Sequence, residues 1–204
     1  MTKILYLLLL TCLTVSSYAH QPRLNEEGDF GMTKGDPYII KDPEISKAIY
    51  STLDGVEHFY KITSKDAFNM YAGITVAKQD DCPDEYKTFS FSIHDEDFNT
   101  LHTFDGDSFE WWSWYEEYGK KWYWVGPEYG ADFKSTNVFE AGTYYLRVFN
   151  NDNSGNYVLA VGDIEKFNAL VIGKMMLVLP KINKKFWNKN NCRDRKSTRL
   201  NSSH

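Results

Sequence analysis

Apolar residues recur at every second position through much of this 204-residue chain. Phe68, Met70, Ala72, Ile74 and Val76 alternate with polar or small neighbours, and Phe89, Phe91 and Ile93 do the same. A period of two buries one face of a strand. Residues 45–53 and 58–62 give two earlier strands, separated by a turn at Asp54 and Gly55. Residues 142–149 place Tyr144, Leu146 and Val148 on one face, and residues 157–161 place Tyr157, Leu159 and Val161 on one face. Between them, residues 150–156 are Asn, Asp, Ser and Gly, which tolerate left-handed backbone, so the two runs read as a hairpin. Residues 20–36 are polar, contain Gly28, Gly31 and Gly35, and read as a flexible lead-in. Short strands at turn-punctuated spacing predict an all-β fold, an antiparallel β-sandwich over residues 37–162.

After residue 162 the period changes. Ile164, Phe167, Val171, Met175 and Val178 fall at helical spacing, with Asp163 placed to cap the start and Pro180 to stop the helix. Lys181, Lys184 and Lys185 then alternate with Ile182, Phe186 and Trp187. Residues 163–187 are therefore expected to form a C-terminal amphipathic helical segment. It either lies on a membrane surface with a Lys and Trp anchor or packs on its own sandwich or on a partner domain. Its apolar stretch is too short to cross a bilayer, which takes about 20 residues.

The two ends are of another kind. Lys3, the apolar run 4–13 and the small residues Ser17 and Ala19 read as a secretory signal peptide over residues 1–19. The expected mature chain starts at His20 and is exported to an extracellular, periplasmic or cell-surface location. Residues 188–204 read as a disordered polar tail. Within it, 194–204 looks like the translation of a sequencing adapter and is set aside from fold reasoning.

Charge and cysteine narrow the function. The net charge is −5, and it is more negative still without Lys3 and the adapter-like tail, so a nucleic-acid partner is not expected. Of three cysteines, Cys12 lies in the signal peptide and Cys192 beside the adapter junction, which leaves no disulfide framework.

The residues 141–148 (Ala-Gly-Thr-Tyr-Tyr-Leu-Arg-Val) and 154–161 (Ser-Gly-Asn-Tyr-Val-Leu-Ala-Val) resemble the last two strands of bacterial pre-peptidase C-terminal domains. That resemblance implies a jelly-roll-like sandwich of the kind attached to secreted enzymes, similar to the collagen-binding modules of collagenases. Residues 45–62 fit its opening strands loosely. Residues 109–133 depart from it, being longer and more aromatic.

That departing segment holds five of the six tryptophans. Trp111, Trp114, Tyr115, Tyr118, Trp122 and Trp124 lie among the carboxylates Glu116, Glu117 and Glu128. If the segment is extended, alternate rings point to opposite faces. Outward rings beside carboxylates suit a glycan or a protein ligand. The leading expectation is thus a secreted or surface-associated non-catalytic binding or accessory module, making contact through this aromatic–acidic segment. A glycoside hydrolase is a weaker alternative, because its two carboxyls must face each other at about 5–9 Å and adjacent strand residues diverge.

Two metals enter as further alternatives. An N-terminal His20 offers amine and imidazole together, and with His94 as a second ligand it would suit copper; His58 and His102 are the other imidazoles at hand. Calcium, which takes about 6–8 oxygens, is suggested by the acidic loops 95–97, 105–108 and 152–155, although none has EF-hand spacing. The resemblance to collagen-binding modules adds to the calcium reading. Serine-hydrolase, zinc-protease and phosphate-loop motifs are absent from the sequence.

Overall fold

The structure is a computed structural model that describes residues 20–25, 32–79 and 86–188. The expected signal peptide, the adapter-like tail and all three cysteines lie outside the described residues. Two sheets face each other. The first has strand order β1 (Gln21–Leu24), β3 (Lys47–Asp54), β13 (Ser154–Val161), β6 (Ala72–Ala77), β10 (Lys121–Tyr129) and β9 (Trp112–Glu116). The second runs β2 (Tyr38–Ile40), β4 (His58–Ser64), β12 (Gly142–Phe149), β7 (Ser90–His94) and β8 (Thr100–Phe104). A short pair, β5 (Phe68–Met70) with β11 (Asn137–Phe139), flanks them. One helix, α1 (Ala169–Phe186), follows β13.

The eight central strands are wound as a jelly roll: β3, β13, β6 and β10 form one face, and β4, β12, β7 and β8 the other. The β-sandwich expected from the alternation is therefore present. Two short edge strands add parallel pairings to this antiparallel framework. β1 adds to β3 in parallel and β2 adds to β4 in parallel. β1 also shows that part of the expected flexible lead-in is an ordered edge strand.

The predicted C-terminal hairpin is also corrected. β12 pairs with β4 and β7, whereas β13 pairs with β3 and β6, so the two strands belong to different sheets. The loop between them arches across the sandwich. Leu146 and Val148 thus meet Tyr157, Leu159 and Val161 through the core rather than side by side. The alternation was the same for either arrangement, because both bury the same face of each strand.

The helix differs from its predicted limits as well. Asn168, not Asp163, caps it: the Asn168 side chain accepts the Val171 N–H at 2.9 Å. The Asp163 carboxylate instead accepts the Ser135 N–H at 2.8 Å. Pro180 sits inside the helix and does not stop it. It removes one intrahelical donor, a local loss that tertiary packing further along offsets. Among the described residues no helix is long and apolar enough to cross a membrane.

The inter-sheet core is rich in rings, and its hydroxyls are paired. The Tyr157 hydroxyl bonds the His58 Nδ1 at 2.8 Å and the Tyr60 hydroxyl at 2.5 Å, and Tyr60 donates on to Ser51 Oγ at 3.2 Å. Burial holds the His58 imidazole neutral, down to about 4. An unfolded chain takes up that proton below about 6.5, so the folded state loses stability as pH falls from about 6.5 toward 4. Urea unfolding at pH 7 and pH 5 checks this. The parent chain is expected to lose about 1–3 kcal/mol over that interval. The His58→Gln variant is expected to lose less, since it no longer carries this ring.

Candidate ligand-binding groove

The aromatic segment folds as the β9–β10 hairpin at the edge of the six-stranded sheet. Its register sets Glu116 opposite Lys121, Tyr115 opposite Trp122, and Trp114 opposite Tyr123. Strand alternation then divides the rings between two faces. Trp114 and Tyr123 sit with their centroids 6.0 Å apart on the outer face, where Phe133 packs 5.0 Å from Trp114. Tyr115 and Trp122, 5.1 Å apart, lie on the opposite face. Beside them Trp124 stacks on Tyr86 at 4.5 Å and carries the Lys78 ammonium at 4.3 Å.

The outer face of the six-stranded sheet is not polar. β13 reads Tyr-Val-Leu-Ala-Val over 157–161, apolar on both sides, and Val158 and Ala160 point outward to α1. Ala48 and Thr75 extend this floor on neighbouring strands. The helix runs beside the edge strand β1 and buries side chains only near its end. Ile182 and Phe186 are buried among Tyr50, Tyr123 and Val158, with Phe186 edge-on to Tyr50 at 5.0 Å. Further toward its start, α1 passes over small side chains that cannot fill the space beneath it. A groove of about 590 Å³ results, within the range of small-molecule sites. Met175 and Leu179 form its roof, Ala48 and Ala160 its floor, and Trp114 and Phe133 its wall.

Polar groups gather at the hairpin end. The Glu116 carboxylate accepts the N–H groups of Tyr118 at 2.8 Å and Gly119 at 2.6 Å, which closes the hairpin turn. Lys121 therefore makes no ion pair with its cross-strand neighbour; its ammonium lies 5.4 Å over the Trp187 ring. The Trp187 indole N–H is buried and has no hydrogen-bond partner among the described residues. Both donors belong to residues lining the groove. His20 lines it too, bonded through Nδ1 to Ser46 Oγ. Burial, and secondarily Lys134, pushes the His20 imidazole down to about 4.

The predicted site residues thus fall into separate groups. Trp114, Glu116 and Tyr118 line the groove. Tyr115, Trp122 and Trp124 face the other way. Glu117 is exposed at the turn. Trp111 is a correction: it is buried in the inter-sheet core, donates to the Gly106 carbonyl at 2.7 Å, and packs on Tyr86. Glu128 accepts the Tyr71 hydroxyl at 2.9 Å and the Phe133 N–H at 3.2 Å. Glu116 and Glu128 therefore have separate partners, and the three carboxylates are not gathered in one place.

His20, His58 and His94 each have hydrogen-bond partners of their own. His94, in the five-stranded sheet, is held between Ser92 Oγ at 2.8 Å and Thr100 Oγ1 at 3.3 Å. The acidic loops close on themselves: Asp95 accepts the Asn99 N–H at 2.8 Å, Asp105 accepts Ser108 Oγ at 2.6 Å, and Asp152 pairs with Lys87 at 2.6 Å. Among the described residues no three His, Cys, Asp or Glu side chains are grouped to hold a metal. Sequence reasoning missed the floor and roof of the groove. The signal was present in residues 157–161, where apolar residues on both faces mark a strand covered on both sides.

No family model matches the chain, and no curated protein matches it. Among solved structures, it is similar to the pre-peptidase C-terminal domain of a collagenase from Bacillus anthracis. The identity is 15%, the TM-score 0.35, and the match covers 62% of this chain and 92% of that one. It is also similar to the catalytic domain of a GH87 alpha-1,3-glucanase in complex with nigerose. There the identity is 16%, the TM-score 0.30, and the match covers 60% of this chain and 23% of that one.

Two neighbouring tryptophans give a direct test of this geometry. Trp111→Ala empties a core site and is expected to cost about 3–5 kcal/mol or prevent folding. Trp112→Ala removes a ring that is 45% exposed and is expected to change stability by less than about 1 kcal/mol. Gly126→Ala is expected to destabilise as well, because a Cβ there overlaps the Trp111 indole. Thermal unfolding of the three variants checks the order.

Proposed function

We propose that this chain is an exported, non-catalytic β-sandwich binding module whose ligand is an acidic amphiphile held between α1 and the outer face of the six-stranded sheet. The observation that carries this reading is the groove's apolar lining, with the Lys121 ammonium and the Trp187 N–H, which has no partner among the described residues, at one end. An alkyl chain lies along Ala48 and Ala160 beneath Met175 and Leu179. A carboxylate headgroup accepts from the two donors, a charge-assisted contact stronger than a neutral one. A glycan fits this face less well. Sugar stacking needs rings presented together to solvent, and here Trp114 and Tyr123 are turned toward the helix; the Tyr115 and Trp122 pair, with Trp122 41% exposed, belongs to the opposite face.

Fluorescence titration with dansylaminoundecanoate tests the reading on the exported chain. Saturable binding at one site per chain is expected. Ala160→Phe fills the floor and is expected to weaken binding by about tenfold or more, and Lys121→Ala by about threefold to tenfold. Trp122→Ala, on the other face, is expected to change nothing. Absence of saturable binding, or a loss confined to Trp122→Ala, overturns the reading.

A further inference from the structure

The two sides of helix α1 carry different chemistry. From Leu170 to Leu179 only Gly173 and Lys174 are not large and apolar. A helix that is apolar all round is one covered all round. The groove side accounts for Ile172, Met175 and Leu179. Leu170 and Leu177 lie seven residues apart on the side away from the groove, 68% and 76% exposed. No described part of the chain covers them.

Charge says what does. The helix carries Lys174, Lys181, Lys184 and Lys185 and no Asp or Glu, in a chain whose net charge is −5. Lys174 follows Leu170 by four residues, and Lys184 follows Leu177 by seven, so cations and exposed leucines share one stripe. A second copy of the chain is a poor cover. A two-fold pairing would set this lysine stripe against itself. An anionic lipid surface satisfies both halves of the pattern. Leucines enter the acyl boundary, while lysine stems lie along it with their ammonium groups among the headgroups.

We infer that α1 docks lengthwise on an anionic membrane surface through Leu170, Lys174, Leu177 and Lys184. This contact uses the side of the helix opposite the groove and does not depend on what the groove binds. Vesicle flotation of the exported chain tests it, with vesicles of phosphatidylcholine alone and of phosphatidylcholine mixed equally with phosphatidylglycerol. The chain is expected to float with the mixed vesicles, weakly with the neutral ones, and less as salt rises. Leu170→Glu combined with Leu177→Glu is expected to reduce flotation by about tenfold or more. Both positions are exposed, so unchanged circular dichroism is expected to accompany the loss. Lys174→Glu with Lys184→Glu provides a second variant, expected to lose the preference for the anionic lipid.

Three results overturn the inference. The parent chain fails to float, or floats equally with both lipids. Either double variant floats as the parent does. Light scattering shows a dimer that the leucine variant dissolves, which gives the stripe to a second copy.

Discussion

The seating of Ile182 and Phe186 on the six-stranded sheet is the contact on which the functional architecture depends. Both side chains are 1% exposed, and burial of each is worth about 1.5–3 kcal/mol. Phe186 stands edge-on to Tyr50, Trp187 stands edge-on to Tyr123 at 5.2 Å, and the Tyr50 and Tyr123 hydroxyls bond each other at 2.7 Å. This aromatic seat fixes one end of α1 at a height set by large rings. The rest of the helix then crosses small side chains at that same height. The groove is the consequence of one mismatch: a large seat at one end, a floor of Ala48 and Ala160 at the other.

That mismatch also orders the chemistry around it. The β9–β10 hairpin supplies the wall through Trp114 and the polar end through Lys121, and its turn is closed by Glu116. Pro180 lies between the seated end of α1 and the end over the groove. A proline there weakens the helix locally without ending it, because Ile182 and Phe186 hold the residues that follow. The helix therefore has one half seated on the sheet by large side chains and one half that crosses the groove beside β1.

Much of the sandwich was legible in the sequence, and the reason is the pleat. Phe89, Phe91 and Ile93, or Tyr157, Leu159 and Val161, must share a face whatever they pair with. What the pleat does not encode is the partner. The run 142–161 suggests a hairpin because adjacent strands often pair, yet β12 and β13 lie in opposite sheets of the jelly roll. The helix was legible from Val171, Met175 and Val178, but its start and end were not. Asn168 and Asp163 are both competent caps, and only the tertiary contact of Asp163 with Ser135 decides between them. Of the aromatic segment, the splitting of rings between faces was readable. The burial of Trp111 was not, since it depends on Gly126 leaving room on a strand far along the chain. The groove was the least legible feature, because its floor is made of alanines that look unremarkable one at a time.

The methionines offer the most direct reading of the central claim, that a ligand lies between α1 and the sheet. Met175 and Met176 line the groove, whereas Met32 and Met70 are buried in the inter-sheet core. Carbon-labelled methionine methyl resonances, followed while dodecanoate is added below its micelle concentration, report on both places at once. The account predicts saturable shifts of the Met175 and Met176 methyls with Met32 and Met70 unmoved. Shifts confined to the core methyls, or no shift of Met175 and Met176 at saturating dodecanoate, would contradict it.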